Sequence, residues 1–282
     1  MNRSLDVPHT PSRFSLSLLR KFPFLRKIIL HSLFKKNHLK FQDLYSYQNR
    51  FFIYKVEDYY IPNESLSAPF SFDLQLEKAK NESLFEYIPK KGDTVIDIGA
   101  GLGEETLIYS KLVGENGIVF SIEANPIVFE VFTKTIALNQ LKNVDALNAA
   151  ISIKKGRVSL AKMTGSYEEV FVNDQISYGE IPSLPLSEYL REKNITVIDL
   201  LKINIEGGEK AALDSLSSEQ FKMIRHAAIA CHDFRWRKEG NEFFRTKEHI
   251  INVLIANGFE IHSRNTGVDY LDDWVYASRA IL

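Results

Sequence analysis

The sequence predicts an α/β protein with an open, mostly parallel β-sheet, and three observations lead to this class. From about residue 91 onward, short apolar runs alternate with helical segments. A turn with three alternating glycines follows the first of these runs, and no helix separates the last two. Alternation with short connections is typical of parallel strands whose helices cover both faces of a sheet. The last two runs are instead expected to be antiparallel neighbours.

Within this pattern, local signals place the individual elements. Strands are expected at 94–98, 118–122, 144–148, 197–205, 227–231, 259–263 and 274–278. Helices are expected at 104–113, 126–140, 208–216 and 243–257, and Gly258 closes the last of them. Between residues 151 and 185 the alternation lapses into a polar, turn-rich insertion. Such an insertion is expected to lie over one end of the sheet and to cover the substrate.

Two further segments precede this domain, which spans residues 91–282. Residues 1–42 form a basic arm, because residues 7–42 hold eight Lys and Arg residues and no Asp or Glu, in a chain whose net charge is −1. An arm of this charge is expected to meet an anionic partner. Residues 43–90 are rich in Tyr and Phe and predict one or two short strands, then a helix over 73–87. This extension is expected to act as a substrate cap.

The arm also carries an apolar stripe. Pro23 suits the first turn of a helix, and Leu25, Ile29 and Leu33 then recur every four residues beside basic side chains. Because this is the pattern of an interfacial helix, residues 13–40 are expected to dock on the domain or on a second subunit, or else to contact an anionic membrane surface. No uncharged run in the arm is long enough to span a bilayer.

The compartment and the partner follow from what the composition lacks. The arm has no signal-peptide core, and the single Cys231 cannot form an internal disulfide. A cytoplasmic protein is therefore predicted, with a peripheral position at the inner membrane surface as the alternative. Outside the arm the chain is acidic and shows no nucleic-acid fold signature, which argues against DNA or RNA as a partner.

The predicted chemistry begins at the glycine-rich turn. Gly99, Gly101 and Gly103 lie where a buried strand leads into a helix, and glycine permits positive φ and close approach of a ligand. A nucleotide-type cofactor is implied. A dinucleotide site would have its third glycine at position 104, where this chain has Glu104, and an acidic helix start repels a pyrophosphate. Glu123, at the end of the next strand, is placed to accept hydrogen bonds from a ribose diol.

Three segments carry a family resemblance: 97–103, the sequence SIEANP at 121–126 and the sequence DLLKINIEGGE at 199–209. Together they resemble the FkbM-type S-adenosylmethionine-dependent methyltransferases, over roughly residues 90–280. The resemblance implies a Rossmann-like class I methyltransferase fold, with a seven-stranded sheet whose last strand is antiparallel, and S-adenosylmethionine as cofactor. The cofactor-binding residues it implies are Asp97, Gly99, Gly101, Gly103, Thr106, Glu123, Asn125, Asn148 and Ala149.

The catalytic candidates follow two later strands. Asn204 stands where the family usually has Asp, and an amide cannot act as a base and is a weaker metal ligand. Glu206, two residues on, is expected to supply the missing charge; the alternative is a helix-start residue paired with Lys202 or Lys210. His232 looks like the family's common histidine after the following strand and is expected to act as the base or to hold the acceptor. The alternative is a satisfied histidine at a strand end.

The segment after His232 interleaves aromatic and basic residues. Asp233, Arg235 and Trp236 are expected to contact the acceptor by stacking on a sugar ring or by holding an anionic group, unless the segment is a solvated loop. Glu206, His232 and Asp233 could also gather a divalent metal. No tight ligand spacing supports one, so a metal is not expected.

The predicted function is an S-adenosylmethionine-dependent O-methyltransferase that acts on a hydroxyl of a sugar, glycan or glycolipid precursor. Two alternatives remain at this point: a catalytically degenerate cofactor-binding scaffold, in which Asn204 marks lost chemistry, and a nicotinamide-dependent oxidoreductase. Homo-oligomer formation stays open.

Overall fold

A computed structural model of the chain describes residues 25–47, 50–64, 66, 70–161, 171–172 and 180–279. The N-terminal elements are α1 (Arg26–Lys36), β1 (Phe41–Tyr47), β2 (Phe51–Val56), β3 (Tyr59–Asn63) and α2 (Phe72–Asn81). The three strands form an antiparallel sheet in the order β1-β2-β3. The sequence predicts only one or two strands here. The additional strand β1 carries Gln, Asp and Ser between its apolar residues, so it has no continuous apolar run.

Helix α2 is shorter than its predicted range. It ends at Asn81, because the chain turns back after Glu82 and the Leu84 amide donates to the Ala79 carbonyl. A backward bond of this kind satisfies a terminal carbonyl and ends a helix. The Ser71 hydroxyl caps the other end by accepting from the Leu74 amide.

Helix α1 packs on the small sheet with a face slightly different from the predicted one. Leu30 and Phe34 are completely buried against aromatic residues of β1 and β2, whereas Ile29 and Leu33 lie half-buried at the edge of the contact. The helix therefore docks within this chain through a face centred on Leu30. The rest of the predicted interfacial segment, 13–24, lies outside the described residues, and membrane contact stays a prediction.

The large sheet is built from seven strands: β4 (Thr94–Ile98), β5 (Ile118–Glu123), β6 (Val144–Asn148), β11 (Ile198–Ile203), β12 (Ile224–Ala230), β13 (Glu260–Ser263) and β14 (Trp274–Ser278). Their order across the sheet is β13-β14-β12-β11-β4-β5-β6. All neighbouring pairs are parallel except those that involve β14, which runs antiparallel to both β12 and β13. The predicted sheet with a reversed last strand is confirmed.

Helices cover both faces of this sheet. They are α3 (Glu104–Val113), α4 (Pro126–Leu138), α5 (Leu186–Glu192), α6 (Glu209–Asp214), α7 (Ser218–Lys222), α8 (Asp233–Glu239), α9 (Lys247–Ala256) and α10 (Asp269–Asp272), with a 3₁₀ turn at Glu242–Phe244. The sequence analysis missed α5, α7, α8 and α10, because helices of four to seven residues are too short to show a periodic pattern. The segment 234–238, for which a solvated loop is the alternative in the sequence analysis, is helical in α8.

The predicted insertion after β6 contains strands rather than turns alone. It holds β7 (Ala150–Ile151), β8 (Gly156–Ala161), β9 (Phe171–Val172) and β10 (Glu180–Leu184). These form a second sheet in the order β7-β10-β8-β9. The remainder of the insertion, 162–170 and 173–179, lies outside the described residues.

The core explains why the central strands have continuous apolar runs. Strands β4 and β11 are buried along almost their whole length, since apolar clusters lie on both sides of the sheet. The small N-terminal sheet is fixed to α4, where the Asn139 side-chain amide bonds to both the amide and the carbonyl of Tyr60, at 2.9 and 2.7 Å. In the described part of the chain, no helix combines the length and the apolar character needed to cross a bilayer.

Candidate active site

A cavity of about 1020 Å³ opens at the carboxyl ends of β4, β5 and β11. Parallel α/β sheets commonly bind ligands at this edge. One wall is the glycine turn after β4, a second is the segment 204–208 after β11, and a third is the inner face of α2. The first two walls belong to the large sheet, whereas the third belongs to the N-terminal extension.

The glycines of the turn have two different functions. Gly99 has a φ of +82°, and a Cβ at this position would lie 1.9 Å from the Asn204 carbonyl oxygen, so the backbone fits only without a side chain. Gly101 lines the cavity, and a Cβ there would meet only the Glu104 carboxylate at 3.9 Å. Gly103 packs instead against the Phe132 ring. Only Gly99 and Gly101 therefore border the space that a ligand would occupy.

Glu123 closes the cavity at the end of β5. Its carboxylate accepts hydrogen bonds from the Gly101 amide at 2.9 Å and from the Asn125 amide at 2.7 Å. Burial raises the pKa of Glu123 to about 7, despite these two donors. Each carboxylate oxygen can accept more than one hydrogen bond, so Glu123 retains capacity for hydroxyl donors of a ligand.

Of the other predicted residues at this corner, some line the cavity and one only supports its wall. Ala149 and Asn125 line the cavity beside Glu123, and Asn125 also caps α4 by accepting from the amides of Ile127 and Val128. The Asn148 side-chain amide donates to the carbonyls of Glu123 and Ala124 and supports this corner without lining it.

Asp97 and Thr106 lie behind the glycine turn. The Asp97 carboxylate is inaccessible to solvent, accepting from the Thr106 hydroxyl at 2.7 Å and from the Lys202 ammonium at 2.9 Å. Lys202 also contacts the Gly99 carbonyl at 2.9 Å and the Glu105 carboxylate at 3.1 Å. Asp97 and Thr106 therefore hold the glycine turn in place through Lys202, and neither lines the cavity as a direct ligand-binding group would.

Asn204 and Glu206 lie where β11 reaches the cavity, and both line it. The backbone N–H of Asn204 fixes the strand end by donating to the Ile98 carbonyl at 2.9 Å. Glu206 has a φ of +53°, which is uncommon for a residue with a side chain. The following Gly207 is equally constrained, because a Cβ there would lie 2.4 Å from the Phe243 ring. This turn directs the Glu206 carboxylate back to the cavity wall.

Glu206 is ionised in this setting. One carboxylate oxygen lies 3.2 Å from the His232 Nε2, and the other accepts from Arg235 at 2.8 Å. Burial alone would raise the pKa of Glu206, but the His232 and Arg235 charges outweigh burial and lower it. The predicted partners Lys202 and Lys210 are not those observed.

His232 lies behind Glu206, between two carboxylates. Its Nδ1 lies 2.9 Å from Glu209, and its Nε2 faces Glu206. Burial alone would lower the pKa of His232, but Glu209 and Glu206 raise it to about 10, so the ring is an imidazolium at neutral pH. A protonated ring with both nitrogens engaged cannot accept a proton, and His232 does not line the cavity, so this arrangement favours a positioning role; the expected role as base or acceptor ligand stays a prediction.

None of the three residues predicted to contact the acceptor lines the cavity. The Asp233 carboxylate accepts from the amides of Thr246 and Lys247, Arg235 is buried between Glu206 and Glu239, and the Trp236 indole donates to Glu242. Because Asp233 points to these amides, it cannot join Glu206 and His232 around a metal. No cluster of three or more His, Cys, Asp or Glu side chains in the described ranges is arranged to hold one.

The sequence analysis expected the extension to act as a substrate cap, but it named no residue of this wall and it missed one buried charge. Gln75 and Lys78 on α2, and Glu82 just after its end, line the cavity, although the sequence of the extension shows no motif. The sequence did contain a signal for Lys202, which stands within an apolar strand run. A lysine buried in such a strand must be paired with an opposite charge.

The sheet order with a reversed β14, the glycine turn after β4 and the carboxylate at the end of β5 define a Rossmann-like class I methyltransferase. The chain belongs to the FkbM methyltransferase family, since the methyltransferase FkbM domain matches residues 97–261. It is therefore an S-adenosylmethionine-dependent methyltransferase, as the sequence motifs predict, and the nicotinamide-dependent alternative is set aside.

Named relatives include two methyltransferases. The chain is 30% identical over 147 residues to a protein-L-isoaspartate O-methyltransferase of Fervidobacterium nodosum, an alignment that covers 48% of this chain and 68% of the relative. It is 25% identical over 200 residues to methyltransferase sdnD of Sordaria araneosa, which covers 59% and 73% of the two chains.

Solved structures with a similar chain course include methyltransferase FkbM of Methylobacillus flagellatus, at a TM-score of 0.49 and 13% identity, over 73% of this chain and 50% of that one. Fibrillarin of Aeropyrum pernix, solved with S-adenosyl-L-methionine, matches at a TM-score of 0.42 and 12% identity, over 84% and 98%.

Proposed function

We propose that this methyltransferase transfers a methyl group to a hydroxyl oxygen of a sugar, glycan or glycolipid precursor. The observation that carries the proposal is the Glu206 carboxylate, which lines the cavity and is kept ionised by His232 and Arg235. An ionised carboxylate accepts a hydrogen bond from a neutral hydroxyl and orients its oxygen. Asn204, beside it on the same wall, adds an amide that can both donate and accept.

The charge of the cavity supports a neutral acceptor. Six carboxylates line the described part of the cavity, against three lysines: Glu64, Glu82, Glu104, Glu105, Glu123 and Glu206 against Lys78, Lys202 and Lys210. An acceptor carboxylate or phosphate placed against Glu206 would be repelled, because like charges at short range in a partly buried site interact strongly. This argues against carboxyl methylation of the kind named for the Fervidobacterium relative.

The residues present also fit the cofactor that the family requires. S-adenosylmethionine supplies an electrophilic methyl group on a cationic sulfonium, and an acidic cavity favours a cation. We assign the ribose hydroxyls to Glu123 and the adenine edge to the corner formed by Ala149, beside Asn125. Gly101 presents its backbone without a side chain to the cavity, so the cofactor can approach the turn closely.

Within the reaction, Glu206 orients the acceptor hydroxyl and accepts its proton late. A low pKa makes Glu206 a weak base, yet an oxygen that has gained a methyl group carries positive charge and releases its proton readily. His232 acts as a positioning residue, because its imidazolium holds Glu206 on one side and Glu209 on the other. Most of the rate enhancement then comes from orientation rather than from strong base catalysis.

A base-lability experiment tests the proposal before the acceptor is identified. The full chain is incubated with methyl-labelled S-adenosylmethionine and separate fractions of free glycans, lipid-linked glycans and peptides that contain isoaspartate. The labelled product is then treated with mild alkali. A methyl ether retains the label, whereas a methyl ester releases it as methanol. Alkali-stable label in a glycan fraction supports the proposal, and alkali-released label on the isoaspartyl peptide contradicts it.

A further inference from the structure

Helix α2 brings a pair of opposite charges to the cavity from outside the matched domain. Lys78 lies in the last turn of the helix and Glu82 is the residue that follows its end, and both line the cavity. Their charged atoms are 4.0 Å apart. The Glu82 side chain is largely buried, and burial raises its pKa, so this carboxylate is poorly solvated. The matched family region begins only at residue 97.

The order of the strands places this pair opposite one particular end of the cofactor. With adenine beside Ala149 and the ribose on Glu123, as proposed above, the remaining part of S-adenosylmethionine continues across the strand ends from β5 to β4 and β11. Its amino-acid end thereby reaches the glycine turn and the neighbourhood of Lys202 and Glu105. Lys78, Glu82, Lys202 and Glu105 all line the cavity; Glu82 interacts electrostatically with both Lys202 and Glu105, and Lys78 interacts with Glu105, so this part of the extension faces that end.

The other lysines that line the described part of the cavity are less suited to a carboxylate there. The Lys202 ammonium has three donors, and it already faces Asp97, the Gly99 carbonyl and Glu105. Lys210 lies on α6 at the far side, where it also lines a second depression beside Arg245. Lys78 is long, 66% exposed at its side chain and able to reach across the cavity.

We propose that Lys78 and Glu82 bind the amino-acid end of the cofactor, with the lysine on its α-carboxylate and the glutamate on its α-ammonium. An α-amino acid carries both charges on one carbon, so a complementary pair of charges about one ion-pair distance apart matches it. The N-terminal extension is then part of the cofactor site and not only an acceptor cap. This inference rests on the proposed placement of S-adenosylmethionine.

Two ligands that differ only at this end test the inference. S-adenosylhomocysteine retains the charged amino-acid end, whereas 5′-methylthioadenosine keeps the adenosine and the thioether and lacks both charges. We expect Lys78→Met in the full chain to lower the affinity for S-adenosylhomocysteine about tenfold in calorimetric titration. The affinity for 5′-methylthioadenosine should stay within about twofold of the wild-type value. Glu82→Gln is expected to show the same selectivity.

Lys80→Met is the matched control, because Lys80 lies on the same helix, pairs with Glu77 on the outside and does not line the cavity. It is expected to change neither affinity. Unchanged affinity of Lys78→Met for S-adenosylhomocysteine, or an equal loss for both ligands, would overturn the inference. A wild-type protein that binds neither ligand would instead contradict the proposed cofactor placement itself, so the two failures can be told apart.

Discussion

The His232 imidazole lies 3.2 Å from the Glu206 carboxylate through Nε2 and 2.9 Å from Glu209 through Nδ1. Two buried carboxylates thus share one cation, and Glu209 is inaccessible to solvent. Removing one partner from such a buried arrangement leaves uncompensated charge and typically costs about 3 to 5 kcal/mol. The ring is consequently a structural cation next to the reaction site.

This arrangement makes a signed prediction about stability and pH. The pKa of His232 is raised from its ordinary 6.5 to about 10, so its stabilising contribution is complete below about pH 6.5 and is lost as the pH rises toward 10. We expect the free energy of unfolding of the wild type to exceed that of His232→Gln by a few kcal/mol at about pH 7. This difference should shrink at about pH 9.5. Urea unfolding at the two pH values measures it. A difference that does not change with pH would contradict a charged His232.

Glu206→Gln tests the carboxylate that lines the cavity. The substitution keeps the size of the side chain but removes the ionised acceptor, so we expect kcat for methyl transfer to fall about 100-fold while cofactor affinity is retained. Glu239→Gln is the matched control, because Glu239 pairs with the same Arg235 but does not line the cavity. Equal activity of the two variants would exclude a direct role for Glu206.

Cofactor affinity is expected to depend on pH through Glu123. Its pKa of about 7 means that the carboxylate is mostly protonated at pH 6 and mostly ionised at pH 8, and only the ionised form accepts from both ribose hydroxyls. We therefore expect S-adenosylhomocysteine to bind about tenfold more tightly at pH 8 than at pH 6. Glu123→Gln should bind weakly, with this dependence removed. Calorimetry at both pH values checks it, and a wild-type affinity independent of pH would speak against the ribose assignment.

Gly99→Ala and Gly101→Ala form a pair that separates folding from binding. A methyl group at Gly99 would lie 1.9 Å from a backbone oxygen, so we expect a loss of about 3 kcal/mol or more in the free energy of unfolding. A methyl group at Gly101 projects into open space, so its cost is about 1 kcal/mol, from the left-handed backbone conformation. Its main effect should be weaker cofactor binding. Denaturant titration measures the stability of both variants, and calorimetry measures their cofactor binding. Similar stabilities of Gly99→Ala and Gly101→Ala would contradict the prediction.

Membrane contact by the basic arm can be tested without removing core residues. Deleting 1–42 would also remove Leu30 and Phe34, which are buried in the core. The exposed lysines at the end of α1 offer a cleaner change: we expect Lys35→Gln with Lys36→Gln to weaken binding to vesicles with anionic lipid at low salt by about 30-fold. The same change at the exposed pair Lys90 and Lys91 is the control. Vesicle binding that is absent from wild type, or equal in both variants, would contradict the prediction.

The fold was predictable wherever a local pattern continued over enough residues. The bounds of β4, β6 and α3 agree with the sequence analysis to the residue, and the glycine turn 99–103 separates β4 from α3. Short helices such as α8 were not predicted, because one or two helical turns are too short to show a hydrophobic period. Strand β1 escaped because its polar residues conceal it.

The candidate site was predictable in its parts but not in its connections. The motifs identified Glu123, Asn204 and Glu206 as residues of one edge, and the structure places all three on the cavity wall. The sequence could not show that His232 would be enclosed by two carboxylates, because Glu209 lies 23 residues away and its direction depends on the Glu206 turn. The sequence analysis expected the extension to cap the substrate, but it could not show which residues of α2 line the cavity, since that contact is purely tertiary.

The paired hydrogen bonds between Asn139 and Tyr60 have a consequence for how the protein unfolds. A side chain that satisfies both backbone groups of one residue takes the place of a missing neighbouring strand at the edge of the small sheet. The N-terminal sheet and α4 thus share one hydrogen-bonding unit across 79 positions of sequence. Heating should therefore melt extension and domain in a single cooperative step, and a fragment trimmed to the catalytic motifs would lose a partner that its own helix needs.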